Sequence, residues 1–218
     1  MQAKKQSINP TEKKVRNPET LVFVILISVV LAGVYAASYD QSKHFVLVHG
    51  GCLGAWSWYK MVPLLKSHGH DVTAIDLAAS GINFLRANKL RTISDYTKPL
   101  VDFMESMVIL VGHSYGGAAI SQAMELFPHK ITVAVFLTAA MPGPSLPFSL
   151  IFQQIWICEP VFIISEEEQV LTKKIQEWMI EKNRPGRVLS IIGSDHMVMT
   201  SQPAQLLAHL LDIAKDLS

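Results

Sequence analysis

The chain has 218 residues, half of them apolar and 17% charged, with a formal net charge of +1. That is enough apolar material for one globular domain, and so even a charge balance gives no electrostatic case for a nucleic-acid partner. Two cysteines, Cys52 and Cys158, are too few for a disulfide framework or a CxxC metal site, so both read as small buried hydrophobes.

Lys4, Lys5, Lys13, Lys14 and Arg16 make residues 1–20 a basic, solvated tail. The uncharged run LVFVILISVVLAGVYAAS occupies 21–38. At a helical rise of 1.5 Å per residue it nearly spans the roughly 30 Å of a bilayer core. Three readings stay open: a signal anchor giving membrane association through Leu21 to Ser38, a signal peptide cut near Val34-Tyr35-Ala36, or a buried core segment. In the first two, the basic flank stays on the cytoplasmic side and the remainder crosses the membrane.

Residues 42–218 alternate short strands with helices. His44 to Val48 is a continuous apolar strand of the kind buried on both faces of a parallel sheet, and it ends in the glycine-rich His49-Gly50-Gly51-Cys52-Leu53-Gly54. A helix carrying Trp58, Met61, Val62 and Leu65 follows, then a strand over Asp71 to Ile75 and a helix over Thr92 to Met104. Met107 to Val111 is a third strand, leading into Gly112-His113-Ser114-Tyr115-Gly116 and a helix over Ala118 to Phe127. Strands over Ile131 to Leu137, Val161 to Ile164 and Val188 to Ile192 complete six, with helices over Leu171 to Glu181 and Pro203 to Asp216. This order predicts an α/β, doubly wound, mostly parallel sheet of about six strands, whose ligands sit beyond the carboxyl ends of the strands.

The G-x-S-x-G sequence between a strand and a helix reads as a nucleophile elbow: a sharp turn lifts the Ser114 hydroxyl above the sheet and aims a helix N-terminus at it. Serine is a poor nucleophile near neutral pH until an imidazole takes its proton, and the imidazole needs a carboxylate to fix its tautomer. His196, after the sixth strand, is the one histidine at the expected post-strand place, and Glu166-Glu167-Glu168 follows the fifth. The order serine, acid, histidine is that of α/β-hydrolases. His113 is expected to pack as a hydrogen-bonded core group, His209 to be solvated or half-buried, and Asp195 to be structural because it adjoins His196.

HFVLVHGGCLGAWSWYK, DLAASGIN, VILVGHSYGG, VAVFLTAAMPGP, VFIISEEE and GSDHMVM resemble the plant methylesterase and hydroxynitrile lyase family of α/β-hydrolases. The resemblance implies hydrolysis of methyl esters of small hydrophobic acids, such as methyl salicylate, methyl jasmonate or methyl indole-3-acetate, with no cofactor and no metal. It matches Ser114 to the nucleophile, His196 to the base, and the backbone N–H groups of Gly51 and Tyr115 to the oxyanion hole. It also implies a cytoplasmic location, against the membrane or secretory one that the 21–38 run suggests. The lyase branch carries Thr and Lys where this chain has Gly50 and Met197, so the esterase branch is expected.

The family's acid is an aspartate that falls at Glu168 here, with Glu167 as the alternative. Between the fourth strand and the strand before the acid the family carries a cap of helices and a small sheet; this chain has a remnant of 143–160, in which Phe148, Ile151, Phe152, Ile155 and Trp156 are spaced for one amphipathic turn. The shortened cap raises a second reading, a catalytically impaired paralogue that binds small ligands or serves as an interaction protein. Oligomeric state is not legible.

Overall fold

The computed structural model describes residues 18–40, 42–143 and 158–217, so the basic residues up to Arg16 and the apolar residues from Phe148 to Trp156 lie outside the described residues. The chain divides into two compact units, Met1–Asp40 and Gln41–Ser218. In the first, α1 runs over Pro18–Asp40 and exposes apolar side chains from Leu21 to Leu31. Among the described residues no helix is long and apolar enough to cross a membrane, so the membrane anchor expected at 21–38 gains no support.

The second unit is a six-stranded sheet in the order β2-β1-β3-β4-β5-β6, with every pairing parallel. The strands are β1 (His44–Val48), β2 (Asp71–Ile75), β3 (Val108–His113), β4 (Ile131–Leu137), β5 (Glu159–Ser165) and β6 (Arg187–Ile191). Between them run α2 (Met61–Ser67), α3 (Ile93–Phe103), α4 (Gly116–Leu126) and α5 (Lys173–Lys182); α6 (Val198–Ser201) and α7 (Pro203–Lys215) follow β6.

The continuous apolar runs have a direct cause, since successive side chains point to opposite faces and helices cover both. Phe45, Leu47, Ile109, Val111 and Ile163 pack with Met61 and Leu65 of α2 and Leu206 and Leu210 of α7. Val46, Val48, Leu110, Phe136 and Phe162 pack on the other face with Leu100 of α3, Ile120 and Met124 of α4, and Met179 of α5. A leucine or phenylalanine cut to alanine in such a core costs about 2–5 kcal/mol.

Local signals fix the helix ends. Thr92 caps α3 by accepting from the Asp95 N–H at 3.1 Å while the Asp95 carboxylate returns to the Thr92 N–H at 3.0 Å, a capping box that places the first helical residue at Ile93. The sequence placed the third strand at Met107 to Val111; it starts one residue later and runs on to His113, into the elbow itself. Cys158 is buried as expected, but Cys52 is exposed with a φ of 60°, in the turn after β1.

Candidate active site

The elbow is built by strain and small residues together. Ser114 has a φ of 52°, a left-handed conformation uncommon for a side chain with a Cβ, which turns β3 into α4 within one residue. A Cβ on Gly116 would lie 2.6 Å from His49 O and 2.7 Å from Val48 O, and one on Gly117 would lie 1.9 Å from Ala140 O. Only glycine lets α4 start this close to the ends of β1 and β4.

His196 follows β6 on the turn Gly193 to Met197. Its Nε2 stands 3.0 Å from Ser114 Oγ, and its Nδ1 stands 2.6 Å from Glu168 Oε2. These contacts fit a neutral imidazole that donates from Nδ1 to the carboxylate and accepts the serine hydroxyl at Nε2. The structure thus brings Ser114, His196 and Glu168 into one hydrogen-bonded chain, while Glu166 turns away to Lys173 and Ser190 on the protein's exterior. The Glu167 N–H donates to Ser194 O at 2.9 Å, which ties the glutamate loop to the histidine turn.

The Glu168 side chain is fully buried and its carboxylate is well bonded. Oε2 also accepts the Thr138 hydroxyl at 2.9 Å, and Oε1 accepts the N–H groups of Val170 and Leu171. Burial opposes the charged form, but donation from His196, the Val170 N–H and Thr138 outweighs it and holds the carboxyl below the ordinary glutamate range. The chain after Glu168 turns back so that two of its own N–H groups, at Val170 and Leu171, meet the carboxylate.

Two further histidines are buried and serve the backbone. His113 donates from Nε2 to His196 O at 2.7 Å, holding the turn that carries the imidazole. Burial, helped by the neighbouring His196, pushes its pKa down to about 4, so it stays neutral. His49 donates from Nδ1 to Gly50 O at 2.7 Å and accepts the Leu77 N–H at Nε2 over 3.0 Å. Burial lowers its pKa too. Because a peptide unit is planar and trans, fixing the Gly50 carbonyl also fixes the direction of the Gly51 N–H. A Cβ on Gly50 would meet Ser114 Cβ at 2.9 Å, and one on Gly51 would meet Tyr115 Cβ at 3.8 Å, so this peptide lies against the elbow. Tyr115 is the residue at the N-terminal cap of α4, directly after the elbow serine.

Asp76 staples the same glycine-rich turn, accepting the Ala55 N–H at 2.6 Å and the Ile82 N–H at 3.2 Å. Sequence reasoning assigned no role to His49, Asp76 or Thr138, although the last two sit inside DLAASGIN and VAVFLTAAMPGP. Asp195 accepts the Met197 N–H at 2.9 Å, and His209 is half-buried on α7, with Nε2 3.3 Å from Ser190 O. Beside the elbow an open hollow of about 250 Å³ is lined by Leu90, Arg91, Thr92, Ile93, Tyr96 and Tyr115.

The model of the alpha/beta hydrolase family matches residues 45–157. Methyl jasmonate esterase 1 of Vitis vinifera is 35% identical over 82% of this chain and 99% of its own length. The chain belongs to the plant methylesterase group of the α/β-hydrolases. The fold agrees: this α/β-hydrolase matches a crystal structure of polyneuridine aldehyde esterase with a TM-score of 0.73 and 34% identity, covering 79% of this chain and 99% of that one. It also matches tomato methylketone synthase I complexed with 2-tridecanone, with a TM-score of 0.74 and 35% identity over 80% of this chain and 98% of that one. The match to the grape esterase runs over 258 aligned residues yet takes in only 82% of this 218-residue hydrolase, so the relative carries a long stretch with no counterpart here.

Proposed function

We propose that this hydrolase cleaves the methyl ester of a small hydrophobic carboxylic acid, with Ser114 as nucleophile, His196 as general base and acid, and Glu168 as the carboxylate that orients the imidazole. The observation that carries this reading is the unbroken chain from Ser114 Oγ to His196 Nε2 at 3.0 Å and from His196 Nδ1 to Glu168 Oε2 at 2.6 Å.

In that reading His196 takes the serine proton as Oγ attacks the ester carbonyl. The N–H groups of Gly51 and Tyr115 receive the developing oxyanion, and each such donor contributes about 3–4 kcal/mol to the transition state. His196 then gives its proton to the departing methoxide oxygen, which leaves as methanol, and the acyl-serine is released by a water that the same imidazole activates. Glu168 stays ionised throughout and stabilises the imidazolium. Methyl jasmonate and methyl salicylate are the first candidates, because relatives are named methyl jasmonate esterase 1 and salicylic acid-binding protein 2; methyl indole-3-acetate is the third.

The stretch that the relatives have and this chain lacks favours one competing reading, a scaffold that binds such acids without turning them over. The two separate in one experiment. Methyl esters of the three acids are incubated with the native protein and with Ser114→Ala, and the free acid is measured by chromatography. Release by the native protein alone supports the esterase. Binding of the acids without release by a folded native protein would establish the binder.

A further inference from the structure

Thr138 has no part in the reaction as described, yet its conformation needs an explanation. It is fully buried and β-branched, and its φ is 38°, in the left-handed region where a branched Cβ meets its own backbone. Glycine would sit there without strain. Strain of this kind persists where the surroundings over-determine it, and it gathers at functional sites.

The surroundings of Thr138 are the two strands that carry the nucleophile and the acid. On one side its neighbours are tied to the elbow: the Ser114 N–H donates to Leu137 O at 3.4 Å, and the Ala140 N–H donates to Ser114 O at 3.0 Å. On the other, the Thr138 N–H donates to Ile163 O of β5 at 2.9 Å, two residues before that strand gives way to the glutamate loop. The hydroxyl then donates to Glu168 Oε2 at 2.9 Å, the same oxygen that accepts His196 Nδ1 at 2.6 Å. A residue registered to both strands is therefore holding the oxygen on which the imidazole turns.

We propose that Thr138 is a positioning residue of the hydrolytic site: its strained backbone aims a hydroxyl at Glu168 Oε2 and fixes that oxygen against His196. This rests on the esterase reading above. The role belongs to the longer glutamate in particular. A glutamate has one more rotatable bond than an aspartate, so its carboxylate needs more fixed donors to stay in one place. Val170 and Leu171 hold Oε1 from within the loop, and Thr138 holds Oε2 from the sheet.

The test uses the full chain and compares Thr138→Val, which keeps the shape and loses the donor, with Thr138→Ser, which keeps the donor. Val is expected to lower kcat about 10–100-fold with KM within about threefold, and Ser to stay within about threefold of the native protein. On a Glu168→Ala background the Val change should alter the rate of Ser114 phosphonylation by a fluorophosphonate less than about threefold, because the group it steadies is gone. A residue that only braces the backbone would lose equally on both backgrounds, and that result overturns the proposal, as does Val matching native activity or Ser failing alongside Val. Where Val does not fold, Thr138→Ala carries the same comparison.

A second readout does not need turnover. The His196 Nδ1 proton, shared with Glu168 over 2.6 Å, gives a downfield proton resonance that Val should shift and Ser should leave in place. A native protein that neither labels nor turns over overturns the esterase reading, while an unmoved resonance in Thr138→Val overturns this one.

Discussion

In the proposed esterase, a glutamate at 168 poses a problem of length. A triad carboxylate misplaced by about 1 Å can cost roughly 100-fold in rate, and glutamate in place of aspartate adds one methylene. Here the N–H groups of Val170 and Leu171 and the Thr138 hydroxyl hold the carboxylate with Oε2 2.6 Å from His196 Nδ1. Shortening the side chain should therefore harm this protein: Glu168→Asp is expected to lower kcat about 100-fold, and Glu168→Gln, which cannot stabilise the imidazolium, about 1,000-fold or more, both read in steady-state ester hydrolysis. A rate in Glu168→Asp equal to native would show that the pocket is not built for glutamate.

His113 links the site to stability at the same scale. Its folded pKa of about 4 lies below the ordinary 6.5, so the unfolded chain takes up its proton first as the pH falls. Stability should decline from pH 6.5 and stop declining on this account near pH 4, by about 3 kcal/mol over the interval, and the sign follows from the unfolded state binding more protons. Glu168 acts lower. Its depressed carboxyl contributes stability above the ordinary glutamate pKa, and that contribution is lost as the pH falls through the folded value. His113→Gln keeps a donor for His196 O and removes the titration. Denaturant unfolding at a series of pH values should show a flatter slope between 6.5 and 4 in that variant, and an unchanged slope would remove His113 from the account.

Among the elements, α4 shows most clearly what a sequence can and cannot disclose. Gly116 and Gly117 read as part of an elbow from the pattern alone, yet the atoms that forbid a side chain there belong to strands remote in sequence. A Cβ on Gly117 would fall 1.9 Å from Ala140 O. Gly117→Ala should cost about 3 kcal/mol or more, seen as a lowered midpoint in thermal unfolding, because backbone cannot move aside as a flexible side chain can. A variant that melts with the native protein would mean that α4 is not pressed against the end of β4. The six strands were legible because both faces are covered, so their runs are apolar without interruption. Their ends were less so: β3 continues through Gly112 and His113, residues whose composition signals a turn while parallel pairing with Phe136 and Leu137 keeps them in the sheet. The roles of His49 and Thr138 were not legible for the same reason. Each acts through a backbone or side-chain partner that only the fold brings near, whereas Ser114 and His196 stand in motifs whose chemistry is carried by residue type.

Over the whole molecule, Gln41–Ser218 is a compact unit with its own core on both sheet faces. A chain trimmed to residues 41–218 should keep the native melting temperature within a few degrees and the same rate of fluorophosphonate labelling; a trimmed chain that unfolds or stops labelling would show that the first unit contributes to the second. The glycine-rich turn, the elbow, the glutamate loop and the histidine turn meet beyond the carboxyl ends of β1, β3, β5 and β6, where a doubly wound sheet places its ligands. The long stretch present in the grape esterase and missing here leaves the chemistry of Ser114 as the point on which everything else depends. The most direct measurement is therefore mass spectrometry of the folded chain after treatment with a fluorophosphonate. The account predicts one adduct, on Ser114, formed fast in the native protein, slowed in Glu168→Gln and absent in Ser114→Ala. A folded native protein that takes up no label, or takes it up on another residue, would contradict it.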